Sequence, residues 1–233
     1  MEKNDFVRIK YDAKIKEGSI EFDKSEDMPL VVGANWVMKP IDDALLSMKV
    51  SEKKTIEILP EQGYGPRDVK MIKTIPLAEF KKHGQKPVPG MIMNMDNKAG
   101  KILSVTGGRV KVDLNHPLAG KTLIFNLEIT EKIEGPENKI RMIIEWFIKP
   151  RTGPDVQLLK DIKITIVGKE VELDLPPLVS LNSMYKKKIS EDVTNLLDME
   201  SVKYVEIFKK PTALDKKKIE ELNAKLPVTE INN

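Results

Sequence analysis

The run Asn115-His116-Pro117-Leu118-Ala119-Gly120-Lys121 leads directly into Thr122-Leu123-Ile124-Phe125-Asn126-Leu127-Glu128-Ile129. Its first half is turn chemistry, with proline fixing one torsion and glycine freeing another. In its second half Leu123, Phe125, Leu127 and Ile129 recur at every second position, the period of a half-buried strand, which extends from Thr122 to Ile133. The same period governs Phe6 to Ile15, where Val7, Ile9, Tyr11, Ala13 and Ile15 share one face. Glu17-Gly18 turns the chain. A second short strand passes through Ile20 and Phe22, and a third apolar run, Pro29 to Val32, ends at Gly33. Pro40 stands where a first helical residue belongs. Ile41, Ala44, Leu45 and Met48 then fall at i, i+3, i+4 and i+7, which predicts one short amphipathic helix. Lys54 to Leu59 reads as a further strand that runs into the turn Gly63-Tyr64-Gly65-Pro66.

Between that turn and Lys121 lies a block with its own rhythm. Val69 to Ile75, Gly90 to Met95, Ile102 to Val105 and Arg109 to Leu114 are strand-like, and Pro76 to Lys82 adds a short helix. Pro87, Pro89-Gly90, Lys98 to Gly100 and Gly107-Gly108 separate the pieces, as expected of a small β domain. Past Glu134-Gly135-Pro136 the character changes again. Lys139 to Ile148, Ile162 to Val167 and Val202 to Phe208 read as strands, and Lys186 to Leu197 and Leu214 to Leu226 as helices. Pro227 to Asn233 is a polar tail. The organisation expected is therefore α+β and multidomain: residues 1–68 with 121–136, an inserted 69–120, and a C-terminal α+β domain over 137–233.

Composition narrows the function. In 233 residues, 40% hydrophobic and 32% charged, there is enough apolar material for more than one core. No apolar run approaches the roughly 20 residues that cross a bilayer, and Met1 to Lys10 lacks the apolar centre of a signal peptide, so a cytoplasmic protein without membrane contact is expected. Without cysteine there is no disulfide, thiolate nucleophile or cysteine zinc site. With only His83 and His116, no metal and no cofactor is expected. The net charge of +3 leaves neither half a basic arm, which argues against nucleic acid as a partner.

Three segments together, Val7 to Asp23, the helix-and-strand stretch to Gly63-Tyr64-Gly65, and Asn115 to Lys121, resemble the FKBP-type prolyl isomerases of the SlyD-like and long archaeal variety. The resemblance covers about residues 5 to 133. It implies an FKBP-like antiparallel half-barrel curled around the short helix, with the 69–120 block as the insert-in-flap domain. It also implies a pocket lined by Tyr11, Phe22, Asp23, Val37, Met38, Ile41, Tyr64 and Phe125. Single-domain members place tryptophan on the pocket floor where Ile41 stands here, and an aromatic where Met28 to Val32 stands, so a shallower, less aromatic pocket is implied.

Taken without the resemblance, Phe22, Val37, Met38, Ile41 and Phe125 have the character of ordinary core, Asp23 that of a turn residue, and Tyr11 that of a buried tyrosine with a bonded hydroxyl. His116 beside Pro117 suits a turn-shaping role. Under the resemblance, these residues bind an X-Pro peptide and the chain catalyses cis/trans isomerisation in folding proteins. The inserted domain then grips unfolded chains. Because Met91, Met93 and Met95 alternate along one strand and thioethers adapt to varied surfaces, an exposed patch of Met91, Met93, Ile102 and Leu103 is the expected client site. Two other classes compete: a holdase with a decayed pocket, and a ribosome-associated scaffold using the lysine-bearing C-terminal helices. Partners expected are unfolded polypeptides and, through the C-terminal domain, a second copy of the chain.

Overall fold

A computed structural model of the chain describes residues 1–95, 98–148, 159–176 and 181–207. The chain forms two compact units, Met1–Glu134 and Gly135–Asn233.

In the first unit, β1 (Phe6–Ile15) lies between β2 (Ile20–Val31) and β8 (Leu123–Lys132), and β3 (Lys53–Ile58) closes the far edge of this antiparallel sheet in the order β2-β1-β8-β3. Sequence periodicity anticipates β1, β3 and β8 to within a residue or two. The two short pieces expected over Ile20 to Val32 are instead one strand of 12 residues. Register shifts against β1 between Ile9 and Tyr11 and between Ala13 and Lys14 let it follow the curl, and its edge position tolerates Pro29. Helix α1 (Lys39–Leu46), with Pro40 in its first turn, buries Ile41, Ala44 and Leu45 and packs beside β3. Phe6, Ile9, Leu30, Leu45, Met48, Ile58, Leu123, Leu127 and Ile129 are fully buried in this unit. Each such side chain contributes roughly 1.5–3 kcal/mol.

The insert leaves after Gly65 through a 3₁₀ turn at Val69–Met71, where a strand was expected, and enters β4 (Ile72–Pro76). Helix α2 (Leu77–Lys82) follows, then β5 (Ile92–Met95), β6 (Lys98–Thr106) and β7 (Arg109–Asp113), in a sheet ordered β4-β7-β6-β5. Lys98 to Gly100 is the start of β6, not a turn. Gly100 is there because a β-carbon would stand 2.7 Å from both Val112 Cγ1 and Leu114 Cδ2. Phe80, Ile102, Val110 and Val112 form the core of this small sheet, with Met93 and Leu77 packed against it.

The second unit departs most from expectation. Lys139 to Ile148 belongs to helix α3 (Pro136–Ile148), not to a strand. Its β-branched isoleucines suggest extension, but Ile140, Ile143 and Ile144 are buried at i, i+3 and i+4, with Pro136 opening the first turn. A strand that went unrecognised, β10 (Glu170–Leu175), is the centre of the sheet; it pairs antiparallel with β9 (Lys163–Val167) and parallel with β11 (Ser201–Glu206). The parallel crossover runs through α4 (Ser183–Leu197), capped by the Asn182 side chain, which accepts from the Tyr185 N–H at 2.9 Å. Arg141 Nη1 donates to the Leu159 carbonyl at 2.9 Å and the Ile162 carbonyl at 3.2 Å, fixing the approach to β9. The helix expected over Leu214 to Leu226 and the polar tail lie outside the described residues. Among the described residues no helix is long and apolar enough to cross a membrane.

Candidate functional site

Adjacent strands bring three aromatic residues together. Register places Phe125 of β8 opposite Ala13 of β1 on one side and Ile56 of β3 on the other. Its ring centroid lies 6.0 Å from that of Tyr11, and that of Phe22 meets it edge-on at 6.1 Å. Both are favourable aromatic geometries. Phe125 is almost wholly buried, whereas Tyr11 and Phe22 are partly exposed. The Tyr11 hydroxyl donates to Asp23 Oδ2 at 2.9 Å, while Asp23 Oδ1 accepts from the Lys24 N–H at 2.9 Å. Burial, then the hydrogen bond and charge of Asp23, push the Tyr11 phenol well above its ordinary range, with a smaller contribution from Tyr64. Tyr11 therefore stays protonated and keeps Asp23 fixed.

Ile41 is buried in α1, and Val37 and Met38, partly exposed, lie in the loop before it. A residue the sequence reading passed over holds that loop. Asp42 is 4% exposed, yet its carboxylate accepts from the Gly33 N–H at 3.0 Å and the Asn35 N–H at 3.1 Å. Gly33 and Asn35 both have positive φ, +74° and +58°, so the carboxylate secures a tight path for the chain. The Met38 carbonyl accepts from Ile41 and Asp42, and the Met38 N–H donates to no acceptor among the described residues.

Tyr64 follows a 3₁₀ turn, Pro60–Gln62, closed by Gly63 N–H donating to the Leu59 carbonyl at 3.0 Å and Gly65 N–H donating to that of Pro60 at 2.7 Å. Its ring is 41% exposed and stacks on His116, with centroids 4.2 Å apart and planes 2° from parallel. Its hydroxyl has no hydrogen-bond partner among the described residues.

The neck of the insert contains a second polar cluster not recognised in the sequence. Asn115 clasps the two connecting segments: its side-chain amide donates to Asp113 Oδ1 at 2.6 Å and to the Asp68 carbonyl at 2.9 Å, and its oxygen accepts from the Asp68 N–H at 2.9 Å. Arg67 Nε and Nη2 donate to Asp113 Oδ2 at 3.0 and 2.5 Å. Burial alone raises the Asp113 carboxyl, but the Asn115 and Arg67 hydrogen bonds outweigh it and hold that carboxyl below its ordinary value. Gly120 N–H donates to the Gly65 carbonyl at 2.8 Å; a β-carbon on Gly120 would meet Arg67 Cβ at 3.0 Å. The tight turn read from Asn115 to Lys121 is thus a clasp as much as a turn.

The patch expected on the insert needs correction. Ile102 is 1% exposed and sits in the small-sheet core, and Met93 packs against that core. Alternation along β5 turns Met93 and Met95 toward the groove beneath α2, with Phe80 and Ile75, and turns Ile92 outward. Exposed apolar side chains of the insert include Met91 and Leu103, both 39% exposed, Ile92, 69% exposed, and Val88 and Val69. Ile92 and Leu103 line a groove of about 640 Å³ that is also lined by His116, Pro117 and Ala119.

Comparison with known proteins agrees with the resemblance read from the sequence. Residues 73–118 match the family model described as FKBP26, IF domain. The chain is 33% identical over 146 residues to a short-type peptidyl-prolyl cis-trans isomerase of Methanocaldococcus jannaschii, covering 56% of this chain and 93% of that protein. It is 30% identical over 146 residues to the FKBP-type peptidyl-prolyl cis-trans isomerase SlyD of Haemophilus influenzae, covering 60% and 76%. It is 25% identical over 138 residues to an FKBP-type 16 kDa isomerase of Escherichia coli, covering 56% and 93%. The chain belongs to the FKBP-type peptidyl-prolyl cis-trans isomerases.

Proposed function

We propose that this chain catalyses cis/trans isomerisation of X-Pro bonds in a pocket lined by Tyr11, Phe22, Asp23, Val37, Met38, Ile41, Tyr64 and Phe125, and that the insert supplies it with unfolded chains. The observation that carries the pocket reading is the Tyr11, Phe22 and Phe125 cluster, braced by the Tyr11 to Asp23 hydrogen bond. The reaction breaks no covalent bond. An X-Pro amide has only to rotate over a resonance barrier of about 18–20 kcal/mol, and no nucleophile is needed. An apolar surface lowers that barrier by removing the water that stabilises the planar, charge-separated amide. Two donors without partners among the described residues, the Tyr64 hydroxyl and the Met38 N–H, are suited to hold substrate carbonyl oxygens while Ile41 and Phe125 bear on the proline ring.

The division of labour follows the chain. Residues 1–68 and 121–136 form the isomerase body, 69–120 the client-binding insert, and 137–233 a separate α+β domain. Met91, Ile92 and Leu103 are the insert's client contacts, since these exposed apolar side chains lie on and beside the paired strands β5 and β6. The test has two arms. Tyr64→Phe and Asp23→Ala should each lower turnover of a short X-Pro peptide; unchanged turnover in both sinks the pocket. In the second arm Ile72 to Val112 are excised and a short Gly-Ser loop joins Met71 to Asp113, which the hydrogen bond from Leu114 N–H to the Met71 carbonyl, 3.1 Å, shows to be near neighbours. Peptide turnover should persist. Proline-limited protein refolding should slow sharply, because a client tethered beside the pocket sees it at roughly millimolar effective concentration. Equal refolding rates would remove the insert from client binding.

A further inference from the structure

We infer that His116 is the positioning residue of Tyr64, fixing its ring by stacking so that the hydroxyl is already in place when substrate arrives; this rests on Tyr64 belonging to the isomerase pocket. Tyr64 stands on a turn, 41% exposed, with a hydroxyl that bonds to no other described residue. An exposed tyrosine so placed samples several rotamers, and binding through its hydroxyl would have to select one. The parallel stack at 4.2 Å removes that freedom before substrate binds.

His116 can serve as a fixed platform because it is itself held. Its Nδ1 accepts from the Leu118 N–H at 3.2 Å, which orients the ring and assigns the proton of the neutral imidazole to Nε2. The loop carrying it is tied at both ends to the segment that follows Tyr64. Asn115 joins it to Asp68, and Gly120 joins it to Gly65. Tyr64 and its platform therefore move as one body. His116 also lines the groove that Ile92 and Leu103 line.

The test uses the full chain and a short X-Pro peptide, with turnover followed beside thermal unfolding. His116→Ala should reduce kcat/KM by roughly 2- to 10-fold, the range of an aromatic pair. His116→Phe, which restores a ring but no acceptor, should recover most of the loss. His116→Asn, which supplies an acceptor without an aromatic ring, should behave like alanine. In a Tyr64→Ala background His116→Ala should have no further effect. The Tyr64 ring resonances should shift in His116→Ala as the stacked ring is removed, a readout independent of turnover.

Wild-type kcat/KM in His116→Ala overturns the inference, as does rescue by asparagine but not phenylalanine, which would make the residue a turn-former. Independent, additive losses from Tyr64→Ala and His116→Ala also overturn it. If Tyr64→Ala alone leaves turnover unchanged, the pocket reading itself fails, a result distinguishable from failure of the stack alone. Should His116→Ala not fold, the phenylalanine and asparagine pair still decides between ring and acceptor.

Discussion

Substituting asparagine for Asp42 probes how the loop bearing Val37 and Met38 is held in place. The carboxylate is 4% exposed and bridges two backbone donors, the Gly33 N–H at 3.0 Å and the Asn35 N–H at 3.1 Å. Asparagine is almost isosteric, so packing is preserved, but it offers one acceptor oxygen and turns an NH₂ toward the other donor. One charge-assisted bond is lost and its N–H is left without a partner, a change of roughly 1.5–3 kcal/mol. If the loop opens locally, protection of the affected amide falls by about 10- to 150-fold. Hydrogen exchange at Gly33 and Asn35 reads this directly, and peptide turnover reads its consequence. Because Asp42 anchors the loop, KM should rise more than kcat falls. Unchanged protection at both amides would refute the reasoning.

Three further outcomes follow from the same geometry. Phe125→Ala removes a nearly buried ring at the centre of the aromatic cluster and should cost roughly 3–5 kcal/mol in urea denaturation as well as turnover; Phe125→Leu should keep more of the stability than of the turnover. Gly120→Ala forces a side chain onto φ +73° and brings it to 3.0 Å from Arg67 Cβ and 3.3 Å from Arg67 N, so the melting temperature should fall by the equivalent of at least about 1–2 kcal/mol; an unchanged value refutes the clasp. Asp113 has a folded-state pKa below the ordinary 3.8, so its contribution to the neck is complete above that pH and is lost as pH falls through the lower folded value. Amide protection of Asn115 should therefore weaken in acid below about pH 4, and Asp113→Asn should flatten that dependence while weakening the neck at neutral pH.

What the sequence made legible tracks the physics that carried each signal. Strict alternation in Phe6 to Ile15 and Thr122 to Ile133 reports one buried face directly, and both strands appear where the pattern puts them. Lys139 to Ile148 failed because isoleucine favours strands locally while its helical spacing competes for the same residues, and tertiary burial decides. Val171, Leu173 and Leu175 do alternate, but acidic residues interleave them and the reading passed over the strand. Ile102 failed as a surface residue because its flanks gave no sign of which face of β6 would be covered; only the helix packed over it shows that. Asp42 was invisible for another reason. A carboxylate in the first turn of a helix ordinarily complements the helix dipole, and nothing local shows that it reaches back to Gly33 and Asn35.

On the proposed function, the neck accounts for how an inserted domain can stand close to a site that needs precise geometry. A flexible insertion between Gly65 and Gly120 would let the motion of a captured client displace Tyr64, whose position depends on the adjoining turn. The two connecting segments are instead clasped by Asn115, by the Arg67 to Asp113 pair and by the Gly120 to Gly65 hydrogen bond. Several short bonds between the same two segments must open together to release them, so the insert can flex beyond the clasp without disturbing what lies behind it. His116 lies within this clasped segment, against Tyr64 and lining the same groove as Ile92 and Leu103. In this reading the Asn115 to Lys121 run separates two demands on one short piece of chain: an adaptable surface for clients on one side, and a tyrosine that must not move on the other.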